Sequence, residues 1–105
     1  MPVATPDLRE QEAARTALAP LYNVVLLDDD DHTYEYVIRM LAAVFGFDAD
    51  KGMAHARDVD QNGRTVLLTT TLEHAELKQQ QVHAFGPDPL LARSQGPMHA
   101  ILEPA

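Results

Sequence analysis

Four consecutive aspartates, Asp28 to Asp31, are the densest chemistry in this sequence. Their carboxylates repel one another, yet together they offer oxygen acceptors to a cation, either an ammonium group or a hard metal ion. The plainer alternative is a solvated turn whose aspartates favour the positive end of a following helix. A second acidic string, Asp58-Val59-Asp60-Gln61-Asn62-Gly63, carries oxygen-bearing side chains at positions 1, 3 and 5 and glycine at 6, as a calcium-binding EF-hand loop does. Position 12 of that loop would be Thr69, where a bidentate Glu is needed, so closing the C-terminus of a helix suits the string better. A hydrophobic strand running into paired aspartates also occurs in magnesium-binding receiver domains. These require a later strand ending in Asp and another ending in Lys, whereas Asp58 and Asp60 here have helical surroundings and the only lysines, Lys51 and Lys78, fall inside predicted helices.

Other chemistries lack their residues. The five histidines, His32, His55, His74, His83 and His99, include no pair at the i, i+4 spacing of a helical zinc site. There is no cysteine, Ser94 is the only serine, and no glycine-rich phosphate loop occurs. Nucleophilic and nucleotide chemistry therefore have little to work with, and the expectation is a binding protein with no catalysis, metal or cofactor of its own. Sixteen acidic against eight basic side chains give a net charge of -8, which repels nucleic acid and anionic membranes. With no apolar run of about 18 residues and polar sequence after Met1, the expected location is cytoplasmic.

The elements that would position these residues follow from periodicity. A chain of 105 residues, 46% apolar, has room for one core. Residues 1–21, rich in Ala, Pro and charge, read as a flexible N-terminal extension closed by Pro20, and the domain proper as residues 22–105. Tyr22 to Leu27 is a β-branched, apolar strand that delivers the aspartates at its end. Apolar residues at helical spacing from Tyr34 to Phe45 predict a first helix over residues 33–45, with His32 as cap and Gly46 as terminator. Asp48 opens a second helix that buries Met53, Ala56 and Val59 and ends at Gly63. Arg64 to Thr71 predicts a strand, Thr70-x-x-Glu73 a capping box for a third helix reaching Phe85, and Met98 to Glu103 a closing strand. The order βααβαβ implies an α+β domain, a three-stranded antiparallel sheet covered by helices.

Read in order, these segments resemble the ClpS family. The stretch YNVVLLDDDDHTYEYVIRML is similar to the family's Tyr-led strand, Asn-Asp-Asp and Thr-Pro-Met-Glu-Phe helix opening. FGFDADKG, the NGR at residues 62–64, TLEHAELK at 71–78 and PMHAILEPA then follow in the family's order, so that the resemblance spans roughly residues 22–105. It implies an adaptor that binds N-terminal degrons, a free α-amine plus a large apolar first residue (Leu, Phe, Tyr or Trp), and delivers those clients to a ClpA- or ClpC-like AAA+ ATPase for degradation. The family's α-amine contacts fall on Asp28, Asp29, Asp30 and Asp60, with Asp28 in place of the usual Asn and Asp60 in place of the usual His. The apolar pocket falls on His32, Tyr34, Val37, Ala56, Val59 and Met98, of which Tyr34 and Ala56 replace Met and His32 replaces Thr. Glu73 and Lys78 match positions used to dock on the ATPase. The departures leave a second reading open, a divergent acidic domain that has lost N-degron recognition and binds another peptide motif or a divalent cation.

An extension without a core of its own should be separable from the domain. Deleting residues 1–20 is expected to leave affinity for a Leu-initiated peptide unchanged while abolishing ATPase-dependent degradation of a Leu-initiated reporter; lost peptide binding would contradict the division.

Overall fold

The computed structural model describes residues 19–29, 31–90 and 96–105. Its elements are β1 (Leu21–Leu27), α1 (Tyr34–Phe45), α2 (Ala49–Asn62), β2 (Arg64–Thr71), α3 (Leu72–His83) and β3 (Ala100–Pro104). This is the expected α+β order. Leu21, assigned to the extension from sequence, instead opens β1; residues 1–18 of that extension lie outside the described residues.

β1 is the central strand of an antiparallel sheet ordered β2-β1-β3. Pairing on both sides explains why Val24, Val25 and Leu26 are all fully buried. Val24 and Leu26 face the helices and belong to the main core with Met40, Leu41, Leu67, Ala75 and Val82. Val25 points to the opposite face. The Arg64 guanidinium there grips Glu103 with Nη1 to Oε1 at 2.9 Å and Nη2 to Oε2 at 2.5 Å. Arg64 stands opposite Leu27 and Glu103 opposite Asn23, so the pair crosses β1 at Val25 and helps to shield it. Between Val24 and Val25 the pairing with β2 slips, Val24 facing Leu68 and Val25 facing Val66, which leaves Leu67 as the extra residue of a β-bulge.

The helices reflect local chemistry, with corrections to the sequence expectations. First, α1 is capped by Thr33, whose Oγ1 accepts from the Tyr36 N–H at 3.1 Å, and not by His32; Thr33 has the extended backbone a cap requires. Second, α2, capped by Asp48 and closed by Gly63 at φ 79°, buries Gly52, Ala56 and Val59, while Met53 is only partly buried. A Cβ at Gly52 would meet Ile38 Cα at 3.3 Å, so absence of a side chain there lets α1 and α2 approach closely. Third, the capping box does not form: Thr71 is the cap of α3, without a side-chain bond, and Thr70 Oγ1 pairs with His74 Nδ1 at 3.0 Å. α3 also ends at His83, two residues short of Phe85, and β3 begins at Ala100 instead of Met98.

α3 lies against all three strands, and α1 packs on both α2 and α3. Gln79 Nε2 donates to the Ala100 carbonyl at 2.9 Å and the Ala100 N–H donates to His83 Nε2 at 3.1 Å, stitching α3 to β3. The segment after α3 is held by a buried carboxylate. Asp88, 1% exposed, accepts the Thr33 N–H at 2.6 Å and the Leu90 N–H at 2.9 Å, while the Tyr36 hydroxyl donates to the Gly86 carbonyl at 2.5 Å. Burial alone would raise the Asp88 pKa, but the hydrogen bonds from Thr33 and Leu90, with a favourable contribution from His32, outweigh it and hold the carboxyl below its usual range.

Because the folded pKa is depressed, the stabilisation from Asp88 is present above the unfolded value near 4 and is lost as pH falls through the folded value. Asp88→Ala is expected to cost about 2 kcal/mol at neutral pH, the worth of hydrogen bonds to a charged acceptor. Urea denaturation as a function of pH checks this: the gap between wild type and variant should be constant above about pH 5 and shrink below 4. A gap independent of pH would show that Asp88 acts by packing alone.

Candidate functional site

Three chain segments meet at the end of β1. The Leu27 N–H donates to the His99 carbonyl at 2.9 Å and the Asp28 N–H to the Gly63 carbonyl at 3.0 Å. The residues leaving β1 are thereby fixed between the end of α2 and the approach to β3. Around that point lies a cavity of about 220 Å³ lined by Asp28, Asp29, His32, Tyr34, Val37, Ala56, Val59, Asp60 and Met98.

Its floor is apolar. Val37, Ala56, Val59 and Met98 are each no more than 3% exposed, and they come from three separate parts of the chain. Val37 lies one turn into α1, Ala56 and Val59 share the inward stripe of α2, and Met98 precedes β3.

Its rim is acidic. Asp28 is exposed and Asp29 partly buried, both in the loop leaving β1. Asp60 stands in the last turn of α2, where the helix already presents the negative end of its dipole. A carboxylate there opposes the helix and adds to the attraction for a cation. Tyr34, at the start of α1, reaches across and donates its hydroxyl to Asp60 Oδ2 at 2.5 Å. That bond, more than burial or the Asp60 charge, raises the Tyr34 pKa above its ordinary value.

On the inner wall the His32 side chain is 3% exposed. Its Nδ1 lies 2.8 Å from Asp29 Oδ1 and its Nε2 2.9 Å from the Gly96 carbonyl oxygen, and its ring packs 4.5 Å from that of Tyr36. Asp29 Oδ1 also accepts the Asp31 N–H at 3.0 Å. His32, expected as a cap and pocket wall, does line the cavity, but instead of capping α1 it brackets two loops.

Nine of the ten residues read from sequence as amine or pocket contacts thus border one cavity; the tenth, Asp30, lies outside the described residues. Glu73 and Lys78 do not line it. Both are on α3, Glu73 exposed and Lys78 partly buried with its Nζ donating to the Val44 carbonyl at 2.7 Å. The EF-hand resemblance of residues 58–63 fails structurally, because Asp58 to Asn62 form the last turns of α2. Asp58 accepts from Asn62 Nδ2 at 2.5 Å, and hydrogen bonds from Thr65 and Asn62 lower its pKa. Among the described residues, no group of three or more His, Cys, Asp or Glu is arranged to hold a metal ion. Nor is any helix among them long and apolar enough to cross a membrane. Asp88 and Gly96, which brace the site from the segment before β3, were not singled out from sequence; the only signal was a Pro-Asp-Pro turn pattern at residues 87–89.

The sequence model of the family described as "ATP-dependent Clp protease adaptor protein ClpS" matches residues 17–92. The chain belongs to the ClpS family. Relatives named ATP-dependent Clp protease adapter protein ClpS include that of Desulforapulum autotrophicum, 30% identical over 98% of each chain. That of Aromatoleum aromaticum is 32% identical over 91% of this chain and 89% of its own. Among solved structures, Agrobacterium tumefaciens ClpS2 bound to L-phenylalaninamide superposes with a TM-score of 0.71 at 29% identity, covering 82% of this chain and 98% of that one. The α+β fold is the ClpS fold, and the protein is an adaptor of the Clp protease system. Within that fold, Asp28, Tyr34 and Asp60 border the cavity.

The bond from Tyr34 to Asp60 has a spectroscopic consequence. In an ultraviolet pH titration, Asp60→Ala is expected to move one tyrosine, the one absent from Tyr34→Phe, down toward the ordinary value near 10. An unchanged tyrosine titration in Asp60→Ala would show that the hydroxyl bond is not formed in solution.

Proposed function

We propose that the cavity receives the free N-terminus of a client protein and that the adaptor carries that client to a ClpA- or ClpC-like ATPase. The supporting observation is the union, in one cavity, of an acidic rim and an apolar floor. A peptide N-terminus is an ammonium with a pKa near 8, so at neutral pH it is a cation needing acceptors. Asp28, Asp29 and Asp60 supply them, Asp30 being the fourth residue assigned by resemblance. At about 4 Å each such pair contributes about 4 kcal/mol at an effective dielectric near 20, before the cost of desolvation. Val37, Ala56, Val59 and Met98, with the Tyr34 ring, receive the first side chain, favouring Leu, Phe, Tyr or Trp. L-phenylalaninamide, bound by the Agrobacterium relative, joins the same two chemistries, an α-amine and an apolar side chain.

Delivery uses α3. Glu73 projects into solvent beside Leu72 and Leu77, which are 40% and 48% exposed. Lys78, tied to the end of α1, aligns that face with the body of the domain. No residue of the cavity is assigned a catalytic task.

A free α-amine is therefore required. Acetylating a Leu-initiated peptide is expected to weaken binding on the order of a hundredfold by calorimetry, since one charge facing several carboxylates is removed. Equal affinities of the free and acetylated peptides would overturn the reading.

A further inference from the structure

His32 places two ring nitrogens against two groups that can only accept. Asp29 Oδ1 is a carboxylate oxygen and Gly96 O a carbonyl oxygen, at 2.8 Å and 2.9 Å. A neutral imidazole has one N–H and one lone pair, so it can satisfy one of them and must turn a lone pair on the other. The doubly protonated ring satisfies both.

We propose that His32 is a positioning residue for amine recognition, acting as a doubly donating imidazolium that holds Asp29 in its binding orientation and locks the loop after β1 to the segment before β3. Asp29 Oδ1 meets two partners, the His32 ring and the Asp31 N–H, which together fix the carboxylate plane. The bond to Gly96 sets the segment that carries Met98, so one ring registers the acidic rim and the apolar floor. Asp29 and Asp31 from the loop after β1 and Asp88 from the segment after α3 lie near it, Asp28 and Asp60 share its cavity, and the Tyr36 ring of α1 packs on it. The role deepens the proposed function and rests on it. It also has a definite sign. Were His32 merely a like charge beside the ammonium, losing its proton would tighten binding; as a positioning residue, losing it weakens binding.

The test combines ring-nitrogen NMR of the free full-length protein with affinities for L-phenylalaninamide in wild type and His32→Gln at matched pH from 5.5 to 8. Taking the ratio of the two affinities at each pH cancels titration of the ligand amine. Long-range proton–nitrogen spectra are expected to show both His32 nitrogens protonated at pH 5.5. Wherever they do, wild type should bind about tenfold more tightly than His32→Gln, the loss of one hydrogen bond to a charged group. The advantage should fade in step with the second ring proton, or persist to pH 8 if that proton persists. A neutral ring at pH 5.5, a ratio near one while the ring is doubly protonated, or a ratio that drifts without a change in ring protonation each overturns the proposal. The NMR result needs no variant to fold. N-acetyl-L-phenylalaninamide separates the two failures: if it binds as well as the free amine, the functional reading is wrong, whereas amine dependence with a flat ratio of one removes only the role of His32.

Discussion

Two backbone hydrogen bonds at the end of β1 govern the rest of the molecule. Leu27 donates to His99 and Asp28 to Gly63, so the central strand ends clamped between the chain entering β3 and the chain leaving α2. Every wall of the cavity is referenced to that clamp. The loop after β1 brings Asp28 and Asp29, the following helix brings Tyr34 and Val37, the end of α2 brings Asp60, and the approach to β3 brings Met98. A strand hydrogen-bonded on both sides is the most rigid base such a site could have, and side chains that must meet a ligand within a few tenths of an ångström need one.

The charge distribution shows where binding and folding pull apart. A helix C-terminus favours cations, yet α2 ends on Asp58 and Asp60. Asp58 is reconciled locally by Asn62 and Thr65. Asp60 is met across the cavity by a tyrosine hydroxyl from another helix. The same asymmetry holds at the other end of the site, where Asp88 complements the N-terminus of α1 and is deeply buried, while Asp28 faces solvent. Asp88, which braces the fold, is enclosed and hydrogen-bonded, whereas Asp28 and Asp60 at the rim are exposed.

Much of this was legible in the sequence because it is written in short-range patterns. Arg64–Thr71 reads as a strand from its own β-branched content, and Asp48 and Gly63 mark the limits of α2 by local capping. What was not legible depends on contacts between distant residues. Asp88 and Thr33 are 55 positions apart and His32 and Gly96 are 64 apart, and nothing in a local window links them. Met53 outweighs Gly52 on any hydrophobicity scale, but close approach of α1 selects the residue without a side chain. The cavity residues were grouped through the order of motifs, not through periodicity, since spacing alone left the aspartates equally suited to a solvated turn. Their contacts are visible only as pairs in space, Tyr34 with Asp60 and His32 with Asp29.

The bulge in β2 has a consequence for how the protein keeps company with copies of itself. β2 and β3 are both outer strands, and an outer strand with regular spacing is a template on which another chain can lengthen the sheet. The extra residue at Leu67 breaks that spacing and increases the local twist, while both Leu67 and Leu68 remain committed to the core. On the far side β3 is only five residues long and ends at Pro104, which has no N–H to offer. Neither outer strand is thus a good template on which a second copy of the chain could lengthen the sheet.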